Sequence, residues 1–433
     1  MPTPSHRPFP KQRVEVVLAE SIHPRAVELC EAEGFKVRAI RPALSERDVI
    51  DVLRSAHVLG IRSKTDVSAG ALSGAKRLLA VGCFCIGTNQ VDLASACAAG
   101  VPVFNSPFSN TRSVAELTIA EIVMLARGIF AKSHKMHRGE WDKSAAGSHE
   151  VRGRTLGIVG YGHIGSQVSV LAESMGMRVI FHDILPKLAL GNARRAGSLG
   201  ELLNASDIVT LHVPATPQTT NMIAAREIAK MKEGAMLINN ARGSIVDIAA
   251  LASALKQGKL AGAAIDVFPH EPSGAAEMFQ SPLRGIENVI LTPHIGGSTE
   301  EAQESIAQDV CLKLIRFVNN GSTTGAVNVP QVELPEQDAP HRDTDAGAAK
   351  PTKREGAGET RRHRILHFHR NQPGVLKKLN SIAADLGVNI AAQYLQTNES
   401  IGYVVLDVDP TDGVRLTDGF KKIEETIRVR LLW

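Results

Sequence analysis

Short runs of consecutive apolar residues alternate along the chain with longer segments whose apolar positions recur every three or four residues, the signature of buried strands interleaved with amphipathic helices. The segment "RVEVVLAE" (13–20) reads as a buried strand, "PRAVELCEAEG" as a helix ended by Gly34, and "FKVRAI" as the next strand. "SERDVIDVLRSA", "HVLGIRS", "LLAVGCF" and "VPVFNSP" continue the rhythm, which predicts a parallel sheet with helices on its faces. A long helical pattern follows, "SVAELTIAEIVMLARGIF" (113–130), with Ser113 and Glu116 spaced as a capping box. A second β-α-β series runs from "TLGIVG" (155–160) to "NVILTP" (288–293). The amphipathic helix "TEEAQESIAQDVCLKLIRFVNNG" (299–321), closed by Gly321, can then return the chain to the first series.

Between 335 and 362 the pattern stops: the segment contains no Val, Ile or Leu, cannot offset its ordering entropy, and predicts a flexible linker. Beyond it, strand "RILHFH", helix "GVLKKLNSIAADLG", strands "VNIAAQYLQ" and "IGYVVLDV", helix "DGFKKIEE" and strand "TIRVRLLW" spell the β-α-β-β-α-β order of a ferredoxin-like module. The expected fold class is α/β, with two doubly wound parallel-sheet (Rossmann-like) domains and this small C-terminal domain.

Composition narrows the classes. A length of 433 residues exceeds what one core usually serves, so several cores are expected. Hydrophobic content of 43% and charge of 22% are those of a globular protein and exclude a largely disordered chain. The net charge of +4 is spread along the chain, too diffuse to mark a nucleic-acid surface. The cysteines at 30, 83, 85, 97 and 311 lack paired metal-ligand spacing, so no metal is expected and a reducing compartment fits best. "MPTPSHRPFPKQR" has no apolar signal core, and the longest apolar stretch is interrupted by Glu121 and Arg127, so the expectation is a cytoplasmic protein without a membrane span.

The strongest chemical signal is "TLGIVGYGHIGSQVSVLAESMGMRVIFHD". Gly160, Gly162 and Gly165 satisfy G-x-G-x-x-G between a strand and a helix, where backbone N–H groups and the helix dipole can hold a pyrophosphate. The next strand ends at Asp183, placed to accept from both ribose hydroxyls, which favours NAD over NADP although His182 and Lys187 stand nearby. Three later strand ends carry Arg242, then Asp266 and Glu271, then His294. Oxidising a hydroxy acid needs a cation for the carboxylate, a base for the hydroxyl proton and a partner for that base, and Arg, His and Glu are those parts. Taken singly, each has an ordinary explanation as a surface ion pair or a loop end.

The motifs "GYGHIG", "LHVPATPQT", "NNARGSIVD", "AAIDVFPHEP" and "LTPHIGGSTEEAQ" resemble the D-isomer specific 2-hydroxyacid dehydrogenases, and "GCFCIGTNQVDL" with "NSPFSNTRSVAE" resembles the serine-regulated bacterial branch that acts on D-3-phosphoglycerate. The resemblance implies catalytic roles for Arg242, Glu271 and His294. It places NAD against Gly160, Gly162, His163, Ile164, Gly165, Asp183, Asn240, Ala241, Arg242, Asp266, His294, Gly296 and Gly297. The family architecture implies a discontinuous substrate-binding domain (9–109 and 298–332), an NAD-binding domain (110–297), a linker (333–362) and a C-terminal ACT regulatory domain (363–433), with NAD in the cleft of the first two. The expected reaction is oxidation of D-3-phosphoglycerate to 3-phosphohydroxypyruvate, at the entry to L-serine synthesis.

A phosphorylated acid needs extra cations. "IRSKT" carries Arg62 and Lys64 on one face if extended, and the resemblance adds Arg41, Lys143 and Asn110. Lys64 stands where the family often has Arg, which keeps the charge and loses the bidentate fork. "HFHRNQPGVLKKLNSIAADLGVNIAAQYLQ" resembles an ACT domain whose polar positions, His369, Asn371 and Asn389, would hold L-serine. Strand "RILHFH" is expected as an exposed sheet edge that pairs with its copy, and a homotetramer is what the resemblance implies. Trp141 fits either a subunit contact or an anchor buried in its own chain. Two alternatives stay open: a reductase of 2-oxoglutarate or hydroxypyruvate, and an NAD-sensing scaffold without turnover.

Overall fold

The computed structural model describes residues 11–272, 277–335, 363–409 and 413–432. Nearly all of the expected linker lies outside the described residues. The chain divides into two compact units, one formed by residues 1–107 with 304–433 and the other by 108–303.

In the first unit, β1 (Glu15–Leu18), β2 (Lys36–Ala39), β3 (Val58–Ile61), β4 (Ala80–Cys83) and β5 (Val103–Asn105) form an all-parallel sheet in the order β2-β1-β3-β4-β5. β3 and β4 are buried at every position, as the unbroken apolar runs predict for strands covered on both faces, while the edge strand β2 is mostly exposed. The order reverses between β1 and β3, and in such sheets ligands bind beyond the carboxyl ends at that switch point. The helix Glu300–Asn320 packs Val310, Cys311, Leu314, Phe317 and Val318 into this unit's core, beside Val14, Leu18 and Phe104.

The second unit holds β6 (Thr155–Val159), β7 (Arg178–His182), β8 (Arg194–Arg195), β9 (Ile208–Leu211), β10 (Ala235–Asn239), β11 (Leu260–Ile265) and β12 (Val289–Leu291). Their order, β12-β11-β10-β9-β6-β7-β8, is all parallel and is the dinucleotide-binding arrangement with one extra strand. A two-residue edge strand of exposed arginines blunts one side of the sheet. The expected single helix over 113–130 is two helices. The first, Thr111–Arg127, ends at Gly128 with φ +59, and a second, Ile129–His137, begins there. The expected capping box is absent as well: the N-cap is Asn110, Glu116 pairs with Arg112 at 2.6 Å, and the Ser113 hydroxyl meets that of Thr299 at 2.9 Å. Trp141 is 79% exposed, so among the described residues it is not the buried anchor that was one of its two expected roles.

The C-terminal module adds β13 (His363–Arg370), β14 (Ile390–Thr397), β15 (Ile401–Val408) and β16 (Thr426–Leu431), an antiparallel sheet in the order β14-β15-β13-β16. This corrects the expected edge: β13, which contains "RILHFH", is central because the split β-α-β topology inserts the first strand between the third and the fourth, and the edges are β14 and β16. One face of the sheet buries Ile365, Val404 and Leu406 under helices contributing Val375, Leu379, Leu416 and Phe420. The opposite face buries Leu366, Phe368, Tyr403 and Val405 in the same core as Phe317 and Val318 of the long helix. Polar side chains of that face bind the carbonyls that a helix end leaves unpaired. Arg430 Nη2 donates to Val318 O at 2.8 Å, Arg364 Nη1 to Asn320 O at 3.2 Å, and the Tyr403 hydroxyl to Gly321 O at 2.5 Å.

Candidate active site

The second unit forms a cradle for a dinucleotide after β6. Gly160 has φ +91, and a side chain there would overlap the carbonyl of His212; one at Gly165 would overlap the carbonyl of Gly160. At Gly162 a Cβ would meet nothing within 4 Å, and this residue opens the helix His163–Ser174 without a side-chain cap. The loop is thus held tight on its inner side and presents first-turn N–H groups on its open side, as a pyrophosphate requires. At the end of β7, Asp183 accepts the N–H groups of Tyr161 at 2.8 Å and Leu185 at 2.9 Å, which fixes its carboxylate beside the loop. The His163 ring packs on Phe108 with centroids 3.9 Å apart, and Ile164 is half-buried. This donor set and open backbone fit NAD.

The catalytic candidates stand on the ends of three neighbouring strands: Arg242 beyond β10, Asp266 and Glu271 beyond β11, and His294 beyond β12. His294 Nδ1 and Glu271 Oε2 are 2.8 Å apart, and the other Glu271 oxygen accepts the Phe268 N–H at 3.1 Å. This pairing raises the His294 pKa above its ordinary value, with burial and the Arg242 charge opposing and the Glu271 and Asp266 charges assisting. Burial pushes Glu271 up, but the hydrogen bonds from His294 and Phe268, with the charges of His294 and Arg242, hold its carboxyl below the ordinary range. Arg242 therefore acts electrostatically on both members of the pair. Its segment is pressed against the Glu271 loop at Gly243, where a side chain would overlap the Phe268 backbone.

Asp266, expected against the cofactor, is 1% exposed and is engaged by the loop that carries His294. It accepts the Thr292 hydroxyl at 2.6 Å and the N–H groups of Ile295 and Gly296 at 2.8 Å each. Between those contacts His294 adopts φ +57, a left-handed conformation unusual for a residue with a side chain. Asn240 likewise turns inward: its amide donates to Glu121 at 2.7 Å and Thr118 at 3.1 Å. Ala241 is buried beside it. Glu121 is 1% exposed, and burial pushes its carboxyl up to about 7. The sequence offered one signal for Glu121, a carboxylate inside an apolar helical run. Asn110 lies against Gly297, where any side chain would overlap the amide.

The remaining candidates fall in separate places. Arg62, half-buried, and Lys64, exposed, follow β3, and Arg41, exposed, follows β2, all at the carboxyl end of the first sheet. Lys143 is exposed in the second unit, beyond the helix Ile129–His137. In the C-terminal module the His369 ring is 3% exposed and lies over Gly402, where a side chain would overlap it. Its Nδ1 faces Arg370 O at 2.8 Å, while Nε2 is buried without a hydrogen-bond partner among the described residues. Asn371 donates to Asn398 O at 2.8 Å, and Asn389 to Asp409 at 3.0 Å.

A dinucleotide cradle beside an Arg–Glu–His set on parallel strand ends defines an NAD-dependent 2-hydroxyacid dehydrogenase. Residues 119–296 match the family described as D-isomer specific 2-hydroxyacid dehydrogenase, NAD binding domain, and residues 365–429 match the AHAS small subunit-like ACT domain. The chain is 51% identical over 424 residues to D-3-phosphoglycerate dehydrogenase of Haemophilus influenzae, covering 98% of each protein. It is 49% identical over 426 residues to D-3-phosphoglycerate dehydrogenase of Escherichia coli strain K12, again covering 98% of each. Among solved structures, the TT0316 protein of Thermus thermophilus superposes with a TM-score of 0.66 at 30% identity, over 72% of this chain and 100% of that one. D-lactate dehydrogenase of Aquifex aeolicus, complexed with NAD and lactic acid, gives a TM-score of 0.62 at 27% identity, over 71% of this chain and 96% of that one. The chain belongs to the D-3-phosphoglycerate dehydrogenase branch of the D-isomer specific 2-hydroxyacid dehydrogenase family.

Proposed function

We propose that this protein oxidises D-3-phosphoglycerate to 3-phosphohydroxypyruvate with NAD, the step that commits carbon to L-serine, in the cytoplasm. The observation that carries the reading is the paired His294 and Glu271 beside Arg242, on three adjacent strand ends of a chain alike over nearly its whole length to D-3-phosphoglycerate dehydrogenases. Bound NAD supplies the hydride acceptor, held by the glycine loop and Asp183. Glu271 engages Nδ1 of His294 and leaves Nε2 as the nitrogen that takes the C2 hydroxyl proton. The resulting imidazolium is stabilised by the Glu271 carboxylate, while Arg242 neutralises the substrate carboxylate and polarises the forming carbonyl. Asp266 holds the His294 loop in its left-handed turn and so fixes the direction of the ring. Arg41, Arg62 and Lys64, with Lys143 and Asn110, are the groups we assign to the remaining substrate charge.

The C-terminal module is assigned as a binding domain for L-serine through His369, Asn371 and Asn389, with a homotetramer as the assembly. The buried, unpaired Nε2 of His369 supports this, because such an atom is costly unless a ligand or water completes it. NADH oxidation measured with 3-phosphohydroxypyruvate, with and without L-serine, tests both assignments. Rapid turnover that serine suppresses is expected; turnover indifferent to serine removes the effector assignment, and no turnover removes the reaction.

A further inference from the structure

At the switch point of the first sheet, between the carboxyl ends of β1 and β3, two consecutive residues adopt left-handed backbone: Glu20 with φ +62 and Ser21 with φ +49. Neither is glycine, so this turn is strained and must be held by its contacts. Those contacts reach two neighbouring segments, and both bear cations assigned above. The Glu20 N–H donates to Pro42 O at 3.2 Å, the Ser21 N–H to Ile40 O at 3.4 Å, and the Ser21 hydroxyl to Arg41 O at 3.1 Å, which clips the loop carrying Arg41. The Glu20 carboxylate, on a residue only 8% exposed, accepts the N–H groups of Arg62 at 3.1 Å, Lys64 at 3.0 Å and Thr65 at 2.9 Å. Gln90 holds the same segment from its carbonyl side, donating to Arg62 O at 2.6 Å.

By taking three backbone N–H groups of this segment, the Glu20 carboxylate fixes the main chain from which the Arg62 and Lys64 side chains extend. We infer that Glu20 is the positioning residue of the phosphate-recognising loop: by binding the backbone of 62–65 while its own turn binds 40–42, it sets Arg41, Arg62 and Lys64 in one arrangement for the distal phosphate of the substrate. Glu20 touches neither substrate nor cofactor; it acts through those three cations, and the inference rests on their assignment to the phosphate.

The test compares 3-phosphohydroxypyruvate with hydroxypyruvate, which differs only by the phosphate, in the full chain and in Glu20→Gln. The amide keeps the volume but turns a donor toward at least one of the three N–H groups. The expected result is a KM for the phosphorylated substrate raised on the order of tenfold, with its kcat and the KM for NADH within about twofold, and no comparable rise for hydroxypyruvate. In an Arg62→Ala/Lys64→Ala background the same substitution should add less than about twofold, because the carboxylate binds the 62–65 segment and the cations that segment carries are gone, while the backbone contacts to the Arg41 loop are unchanged. If Glu20→Gln does not fold, Gln90→Leu loosens the same segment from its other side and should show the same selective rise. Equal KM increases for both substrates, or no increase, overturn the role of Glu20. A full chain that does not distinguish the two substrates overturns instead the assignment of the cations to the phosphate.

Discussion

The Arg364 side chain is completely buried on the sheet face that meets the long helix, and its charge is met by the cross-strand partner Asp407 through bonds of 2.6 and 2.7 Å. Among the described residues its other hydrogen bonds go to backbone carbonyls, Asn320 O at 3.2 Å and Pro335 O at 3.5 Å. Replacing Asp407 with Ala leaves a buried guanidinium with neutral acceptors only, and breaking such a pair from one side typically costs about 3–5 kcal/mol. At ~1.4 kcal/mol per tenfold, this corresponds to a loss of roughly a hundred- to a few-thousand-fold in protection of the β13 and β15 amides against hydrogen exchange. Exchange read segment by segment is the suitable assay, because unfolding of a chain with several cores need not be two-state. The double variant Arg364→Met/Asp407→Leu removes both charges and should return protection to within about tenfold of the unaltered chain. A loss below about fivefold in Asp407→Ala would refute the reasoning, as would a double variant no better protected than the single one.

Other outcomes follow from the site. Glu271→Gln removes the charge and weakens the hydrogen bond that raise the His294 pKa, so the acid limb of the oxidation profile, which requires neutral His294, should move to lower pH. The maximal rate should fall on the order of a hundredfold, because the imidazolium loses the negative charge of its partner. A limb that stays in place or moves up in the pH–rate profile would contradict the pairing. Asp183→Ala should raise the KM for NAD by roughly ten- to a hundredfold with little change in kcat, from the loss of charge-assisted bonds to the ribose; NAD titration at saturating substrate reads this directly. Gly402→Ala should displace the His369 ring, which lies where the new methyl would be, and weaken any serine effect while leaving basal turnover within about twofold. Inhibition curves for the variant check that.

The two parallel sheets were legible because their strands are buried on both faces, so residues such as Val58–Ile61 and Ile208–Leu211 stand in the sequence as short unbroken apolar runs. The glycine loop, Asp183, Arg242, Glu271 and His294 were legible for a related reason: each follows a strand, and strand ends are where an open α/β sheet binds ligands. The break at Gly128 was hidden because residues on both sides have helical character and only the left-handed backbone of the glycine interrupts them. The inward turn of Asp266 and Asn240 was equally hidden. Their partners lie 29 residues away at Ile295 and 119 away at Glu121, and a local motif cannot say whether a carboxylate or amide at a strand end faces a ligand or its own chain. Glu20 escaped for the same cause: its role depends on N–H groups 42 to 45 residues further on.

The most direct test of the proposed reaction is D-3-phosphoglycerate-dependent formation of NADH, followed at alkaline pH in the full chain and in His294→Ala, with NAD affinity measured on both by calorimetry. Robust NADH formation by the full chain is expected, with a loss of about a thousandfold or more in the variant and NAD affinity unchanged within a few-fold. A variant that turns over at the rate of the full chain, or a full chain that binds NAD and oxidises no D-3-phosphoglycerate, would contradict it.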